Sequence, residues 1–218
     1  MTLSLQHPFS MIIAAPSNSG KSHFVAKLLK HRQSMISPSP VKVYWCYSEW
    51  QQLYQTIDNV QFHQGIIYVD SIDSGITNLV ILDDLMSECD QRVSDIFTKH
   101  SHHRNLSVIF MTQNLYHKGP HMRNMNLNSS YIVLFKNPRD VNQINFLSRQ
   151  MYPSGKSKFM VEAYSDATSA PYGYLLIDLK QSTDDAVRLR TCICPDEKTY
   201  IYVSKEIAKT LRYQPSER

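Results

Sequence analysis

The sequence predicts an α/β fold in three layers, with a mostly parallel central sheet flanked by helices. Two observations predict it. Short apolar runs alternate with amphipathic stretches along the chain, the pattern of strands buried on both faces and joined by helices. The first strong apolar run also passes directly into a polar, glycine-bearing loop and then into a helical pattern. The size agrees: 218 residues suit one α/β domain, or one domain with a short extension. With 42% hydrophobic and 19% charged residues, a sizeable core is available and the composition argues against disorder.

Taken in order, Ser10–Ala15 (SMIIAA) reads as a buried strand and Lys21 to about Gln33 as a helix with Phe24, Val25, Leu28 and Leu29 inward. Ser34–Val41, with Pro38 and Pro40, reads as a loop, Val41–Tyr47 (VKVYWCY) as a strand and Glu49–Ile57 as a short helix. Leu79–Leu82 is a strand ending at Asp83 and Asp84, followed by a helix over Glu88–Ser101. Ser107–Thr112 (SVIFMT) and Tyr131–Phe135 (YIVLF) are further buried strands, with helices at Pro138–Met151 and about Gly155–Asp166. Tyr174–Leu179 (YLLIDL) is a last core strand, and beyond it Arg188–Val203 is expected to form a hairpin and Ser204–Arg212 a basic helix. No internal repeat, low-complexity tract or long linker divides the chain. The expected organisation is therefore a core over residues 1–180 and a short C-terminal extension over 181–218 packed on it.

Lys and Arg total 23 against 19 Asp and Glu, a formal net charge of +4. So mild an excess permits a polyanionic partner without requiring one. The N-terminal MTLSLQHPFSMIIAAP lacks a basic stretch before its apolar run, and that run is too short to span a bilayer, so it reads as a core strand and not a signal peptide. No other segment reaches transmembrane length, and the expectation is a soluble protein with no membrane partner. Cys46, Cys89, Cys192 and Cys194 form no disulfide framework, which fits a reducing intracellular compartment. Cys46 reads as a buried strand residue, and Cys192-x-Cys194 lacks a second pair at zinc-site spacing.

The loop is Ala15-Pro16-Ser17-Asn18-Ser19-Gly20-Lys21-Ser22, the phosphate-loop pattern with Ala in the first position, where Gly is commoner. Backbone N–H groups wrapped around the phosphates, together with the positive end of the following helix, bind the anion. In this pattern Gly20 permits close backbone approach, Lys21 reaches the β- and γ-phosphates and Ser22 offers its hydroxyl to Mg²⁺. The placement between an apolar strand and an amphipathic helix is the one the mechanism needs, so the expected cofactors are ATP and Mg²⁺.

Asn78-Leu79-Val80-Ile81-Leu82-Asp83-Asp84 is an apolar strand finishing in two acids. The first acid at such a strand end holds Mg²⁺, directly or through water, and a second would polarise the attacking water. The alternative for this pair is an Asp-rich helix cap. The strand Ser107–Thr112 closes with Gln113, which would sit beside the γ-phosphate as a sensor, or else merely cap the strand.

With Lys21, Asp83-Asp84 and Gln113 in this order, the chain resembles the FtsK–HerA superfamily of P-loop ATPases, over roughly residues 8–180. Within it, the chain looks most like the short poxvirus-type DNA-packaging ATPases of large DNA viruses, virophages and Polinton/Maverick (adintovirus-like) elements. The segment FTKHSHHR, Phe97–Arg104, followed by NLSVIFMTQN, Asn105–Asn114, carries the resemblance most strongly. The resemblance implies that Arg104 acts in the neighbouring subunit's site and that Gln113 ends the strand as the sensor. It also implies a homo-oligomeric ring, pentamer or hexamer, that drives double-stranded DNA into a capsid through a vertex or portal-like protein. The location it implies is the host nucleus or cytoplasm, or the virion. In this family the second strand-end acid is often Glu; here it is Asp84, with Glu88 the next candidate for the general base.

Other features are weaker. His100, His102 and His103 read as a polar surface beside Arg104, with metal binding the alternative. His117 and His121 are split by Gly119-Pro120 and read as loop residues, and with Lys118, Arg123 and Asn124–Asn128 they make a polar loop that either grips DNA or is simply solvated. Competing functions are a P-loop DNA helicase or other nucleic-acid-remodelling ATPase, a small kinase and a nucleotide-dependent switch. The chain lacks recognisable further helicase motifs and an arginine-rich lid. Beyond Leu179 too little chain remains for a nuclease domain.

Overall fold

The computed structural model describes residues 3–85, 91–100, 105–116, 120–152 and 157–212. In chain order the elements are β1 (Leu5–Gln6), β2 (Ser10–Ala14), α1 (Lys21–Lys30), α2 (Arg32–Met35), β3 (Ile36–Ser37), β4 (Lys42–Tyr47) and β5 (Gln61–Gln64). There follow β6 (Asn78–Asp83), α3 (Gln91–Asp95, continuing into a π turn over Ile96–His100), β7 (Leu106–Thr112), α4 (Pro120–Leu127) and β8 (Tyr131–Phe135). The chain ends with α5 (Asn142–Met151), α6 (Ser157–Ala167), β9 (Tyr174–Asp178), β10 (Leu189–Thr191), β11 (Tyr200–Tyr202) and α7 (Lys205–Arg212).

Among the described residues one nine-stranded sheet runs in the order β11-β10-β9-β8-β2-β7-β6-β4-β5. From β8 to β5 every neighbouring pair is parallel. Beyond β8, the strands β9, β10 and β11 add antiparallel to one another. The predicted hairpin is present as β10 and β11, and β10 joins the sheet directly through β9.

The central strands are apolar throughout because both of their faces are covered. Alternate residues then serve different cores. Ile12, Val80, Phe110 and Leu134 pack under α3, α4, α5 and α6, with Val93, Met125, Ile144 and Met160 descending from those helices. Met11, Ile81, Met111 and Val133 face the other way, beneath α1, whose Phe24, Val25, Leu28 and Leu29 are the inward residues expected from the sequence. Burying each such side chain contributes about 1.5–3 kcal/mol.

The structure departs from the sequence reading in several places. The segment after α1 is not all loop: Met35 and Ile36 are buried, and β3 pairs with β1. Glu49–Ile57 is not an α-helix but extended chain leading into a 3₁₀ turn over Gln52–Thr56, with Tyr54 as its buried residue. Part of the polar stretch read as a loop is a helix: Pro120–Leu127 is helical, with proline at the first position and Met122 and Met125 turned into the core, so His121 and Arg123 lie on a helix. The helix expected from Pro138 begins only at Asn142, because the Asn137 and Asp140 carboxamide and carboxylate accept the backbone N–H groups of Arg139 and Asn142 and hold a turn instead. Among the described residues no helix is long and apolar enough to cross a membrane.

Candidate active site

The site lies at the C-terminal edge of the parallel strands. At the end of β2 the Ala15 N–H donates to the Thr112 carbonyl of β7 at 3.0 Å, and the chain then leaves the sheet. Asn18 (φ 60) and Gly20 (φ 93) take left-handed backbone conformations, which curl the loop back to the start of α1. Ser19 Oγ donates to the Pro16 carbonyl at 2.8 Å inside the curl. Gly20 caps α1 without a side-chain bond, and the first turn holds no acid, so the helix N-terminus keeps its N–H groups and positive end for an anion. Lys21 Nζ donates to the carbonyls of Ala15 (2.7 Å) and Pro16 (3.1 Å), folding the ammonium over the loop. Burial lowers the Lys21 pKa, against the opposing pull of Asp83 and Asp84.

Asp83, the last residue of β6, is buried. Its Oδ2 accepts from the Tyr54 hydroxyl at 2.8 Å, from Trp45 Nε1 at 3.3 Å and from Ser22 Oγ at 3.5 Å. These bonds converge on one oxygen and fix the carboxylate, leaving Oδ1 as the oxygen none of them uses. Burial pushes the Asp83 carboxyl above its usual range, while the bonds from Tyr54 and Trp45 and the Lys21 charge work the other way. The same burial, together with the neighbouring Asp83 charge, pushes the Tyr54 phenol far up, so it remains a donor. Asp84 is exposed and sits at φ 53, where the chain breaks away from β6.

Strand order assembles the rest. β7 lies between β2 and β6, so Gln113, the residue after its last position, emerges between the phosphate loop and the acids. Ser17 to Ser22, Asp83, Asp84 and Gln113 line one open cleft of about 980 Å³. Ala15 and Pro16 stand behind it and offer carbonyls to Lys21. Arg104 and Glu88 lie outside the described residues, as do His102, His103, His117 and Lys118. Cys192 follows β10 in a left-handed conformation (φ 53), so it and Cys194 are not successive inward residues of a strand. Among the described residues no group of three or more His, Cys, Asp or Glu side chains is placed to hold a metal ion.

A hydroxyl and a fixed carboxylate beside a phosphate loop are hard oxygen donors, a set that suits Mg²⁺ carried with nucleotide phosphates. Sequence reasoning missed Trp45 and Tyr54. Both sit in apolar or mixed runs where an aromatic residue reads as core, and their polar tips gain meaning only once β4 and the 3₁₀ turn are packed beside Asp83. It also missed the far half of the cleft, lined by Phe24, Lys27, Phe135, Tyr172, Tyr174 and Glu197.

No protein-family model matches the chain, and no curated protein does. Solved structures do. The DNA-packaging ATPase B204 from Sulfolobus turreted icosahedral virus superposes with a TM-score of 0.51 at 13% identity, covering 93% of this chain and 98% of that one. The genome packaging NTPase B204 from Sulfolobus turreted icosahedral virus 2, in complex with ATP-gammaS, gives 0.50 at 13% identity over 93% and 98% of the two chains. At this identity the likeness is one of fold, and the fold is the three-layer α/β architecture of the P-loop NTPases.

Proposed function

We propose that this chain is a Mg²⁺-dependent ATPase that moves duplex DNA into a viral or virus-like capsid. The observation that carries the reading is the convergence of Ser17–Ser22, Asp83, Asp84 and Gln113 on one cleft, from three neighbouring strands. The fold shared with two proteins described as packaging enzymes supports the choice of work done with the energy. Residues 1–180 form the ATPase core, and the extension over 181–218 continues its sheet through β10 and β11.

The loop N–H groups and the α1 N-terminus bind the phosphates, and Lys21 swings from its carbonyl partners to the β- and γ-phosphates. Ser22 and Asp83 would hold Mg²⁺, which supplies charge neutralisation at the phosphates when bound. Asp84 orients and polarises the attacking water, and Gln113 contacts the γ-phosphate between loop and acids. Arg104 serves the site of the adjacent subunit in a ring of five or six, and the ring's outer partner is a capsid vertex or portal-like protein.

The test is turnover with and without duplex DNA. Wild type hydrolyses ATP, faster with duplex, and displaces a third strand from a triplex ahead of it. Lys21→Ala loses turnover by at least about a hundred-fold, since positioning and charge stabilisation both depend on the lysine. Full activity in Lys21→Ala would sink the ATPase assignment. Hydrolysis indifferent to duplex, without displacement, would sink the packaging role and leave the ATPase standing.

A further inference from the structure

The cleft is longer than a triphosphate needs. From the phosphate loop it continues along α1 past Phe24 to Lys27 and across to Phe135, Tyr172, Tyr174 and Glu197. Nothing in phosphate binding or hydrolysis uses this half. Phe24, Phe135 and Tyr174 are buried and form its floor, with ring centroids of Phe24 and Tyr174 at 4.7 Å and of Phe135 and Tyr174 at 5.6 Å. The Lys27–Glu197 ion pair, at 2.5 Å, makes the far rim polar.

Tyr172 differs from the floor. Its side chain is on the surface, with the residue 71% exposed, yet it stands against the phosphate loop: a Cβ built on Gly20 would lie 3.1 Å from Tyr172 Cδ1. The position is held by the backbone. Tyr172 takes a left-handed conformation (φ 61), and a Cβ at the next residue, Gly173, would collide with the Ala167 carbonyl, so the turn into β9 is tightly packed there. An aromatic ring kept beside the phosphate loop, with most of its surface still open, is a stacking platform awaiting a planar partner.

The geometry points to this half of the cleft as a nucleobase subsite, with Tyr172 stacking on the base of a purine nucleoside triphosphate whose phosphates occupy Ser17–Ser22. This rests on the nucleotide-binding reading above. The phosphate loop recognises phosphates alone, so selectivity for the base has to arise elsewhere, and a purine covers more of the ring than a pyrimidine does.

The test compares ATP, CTP and inorganic tripolyphosphate, each with Mg²⁺, by calorimetric titration of the full chain. Tyr172→Ala lowers ATP affinity about 5- to 150-fold, the range of aromatic–base stacking. It leaves tripolyphosphate affinity within about two-fold and brings ATP and CTP affinities together. Tyr172→Phe and Tyr172→Trp keep ATP binding near wild type, because the ring and not the hydroxyl does the stacking. Equal losses for ATP and tripolyphosphate in Tyr172→Ala would overturn the proposal and make the ring a prop for Gly20. No loss for ATP would overturn it too, placing the base elsewhere. A wild type that binds tripolyphosphate but shows no preference for ATP would overturn the subsite while leaving the phosphate loop intact; a wild type that binds neither would overturn the nucleotide reading itself.

Discussion

Asp83 and Asp84 are neighbours in sequence with opposite surroundings. Asp83 is 3% exposed and pinned by Tyr54 and Trp45, whereas Asp84 is exposed and in a left-handed conformation. In a continuing strand the two side chains would point to opposite faces; the turn at Asp84 ends the strand and lets both line the same cleft. A carboxylate held rigidly suits a cation, and an accessible one suits water. Asp83→Asn is therefore expected to abolish Mg²⁺-dependent hydrolysis, and Asp84→Asn to bind ATP with near wild-type affinity yet cleave it at least about a hundred-fold more slowly. Asn tolerates the left-handed backbone, so the second variant tests chemistry and not folding. Single-turnover hydrolysis beside equilibrium ATP binding separates the two effects, and wild-type cleavage by Asp84→Asn would move the general base to Glu88. The acids were legible in the sequence because they end an apolar run. Their partners were not, since Trp45 and Tyr54 come from β4 and a 3₁₀ turn, and no local pattern announces contact with β6.

At the scale of elements, what could be read was whatever is buried on both faces. The strands β2, β6, β7, β8 and β9 are continuous apolar runs, and the sequence placed them to within a residue or two. The edge strand β5, QFHQ, is mostly solvated and shows neither run nor alternation, so it left no signal. α4 was hidden for another reason: its two core residues, Met122 and Met125, stand among Asn, Arg and His, and a pattern of two apolar positions is too sparse to distinguish from a polar loop. The structure gives that helix a measurable weight. Met125 is fully buried among the helices over the sheet, and beside it Asn126 Nδ2 donates to the Leu115 carbonyl. Met125→Ala should destabilise the fold by about 2–5 kcal/mol, as for other buried Met truncations. A surface loop would lose about 0.5 kcal/mol or less. The midpoint of urea unfolding distinguishes these, and an unchanged midpoint would return the segment to a loop.

For the whole molecule the question is whether one chain suffices. The cleft lies at the C-terminal edge of the sheet, but the chain enters β7 at Leu106, on the opposite edge, where Asn105 Oδ1 is tied to His7 Nε2 at 2.9 Å. Seven residues of strand at about 3.3 Å each separate that entry from Gln113 by roughly 20 Å. Arg104 precedes Leu106 by two residues in the sequence and lies outside the described residues; the function proposed above assigns it to a neighbouring subunit's site. In that proposal Arg104 contacts phosphate held by the adjacent subunit. Its planar fork suits transition-state oxygens, and an arginine finger is worth roughly 10³–10⁵ in turnover. Arg104→Ala is therefore expected to bind ATP normally and to hydrolyse it slower by about that factor, while wild-type activity rises more steeply than linearly with protein concentration over the assembly range. Mixing Arg104→Ala with Lys21→Ala should restore part of the activity, because at one kind of mixed interface an intact phosphate loop meets an intact finger. Native mass spectrometry shows whether mixed rings form. A dead mixture in which they do form, or a fully active monomer, would rule out Arg104 as a trans finger and leave it a structural cap on the strand.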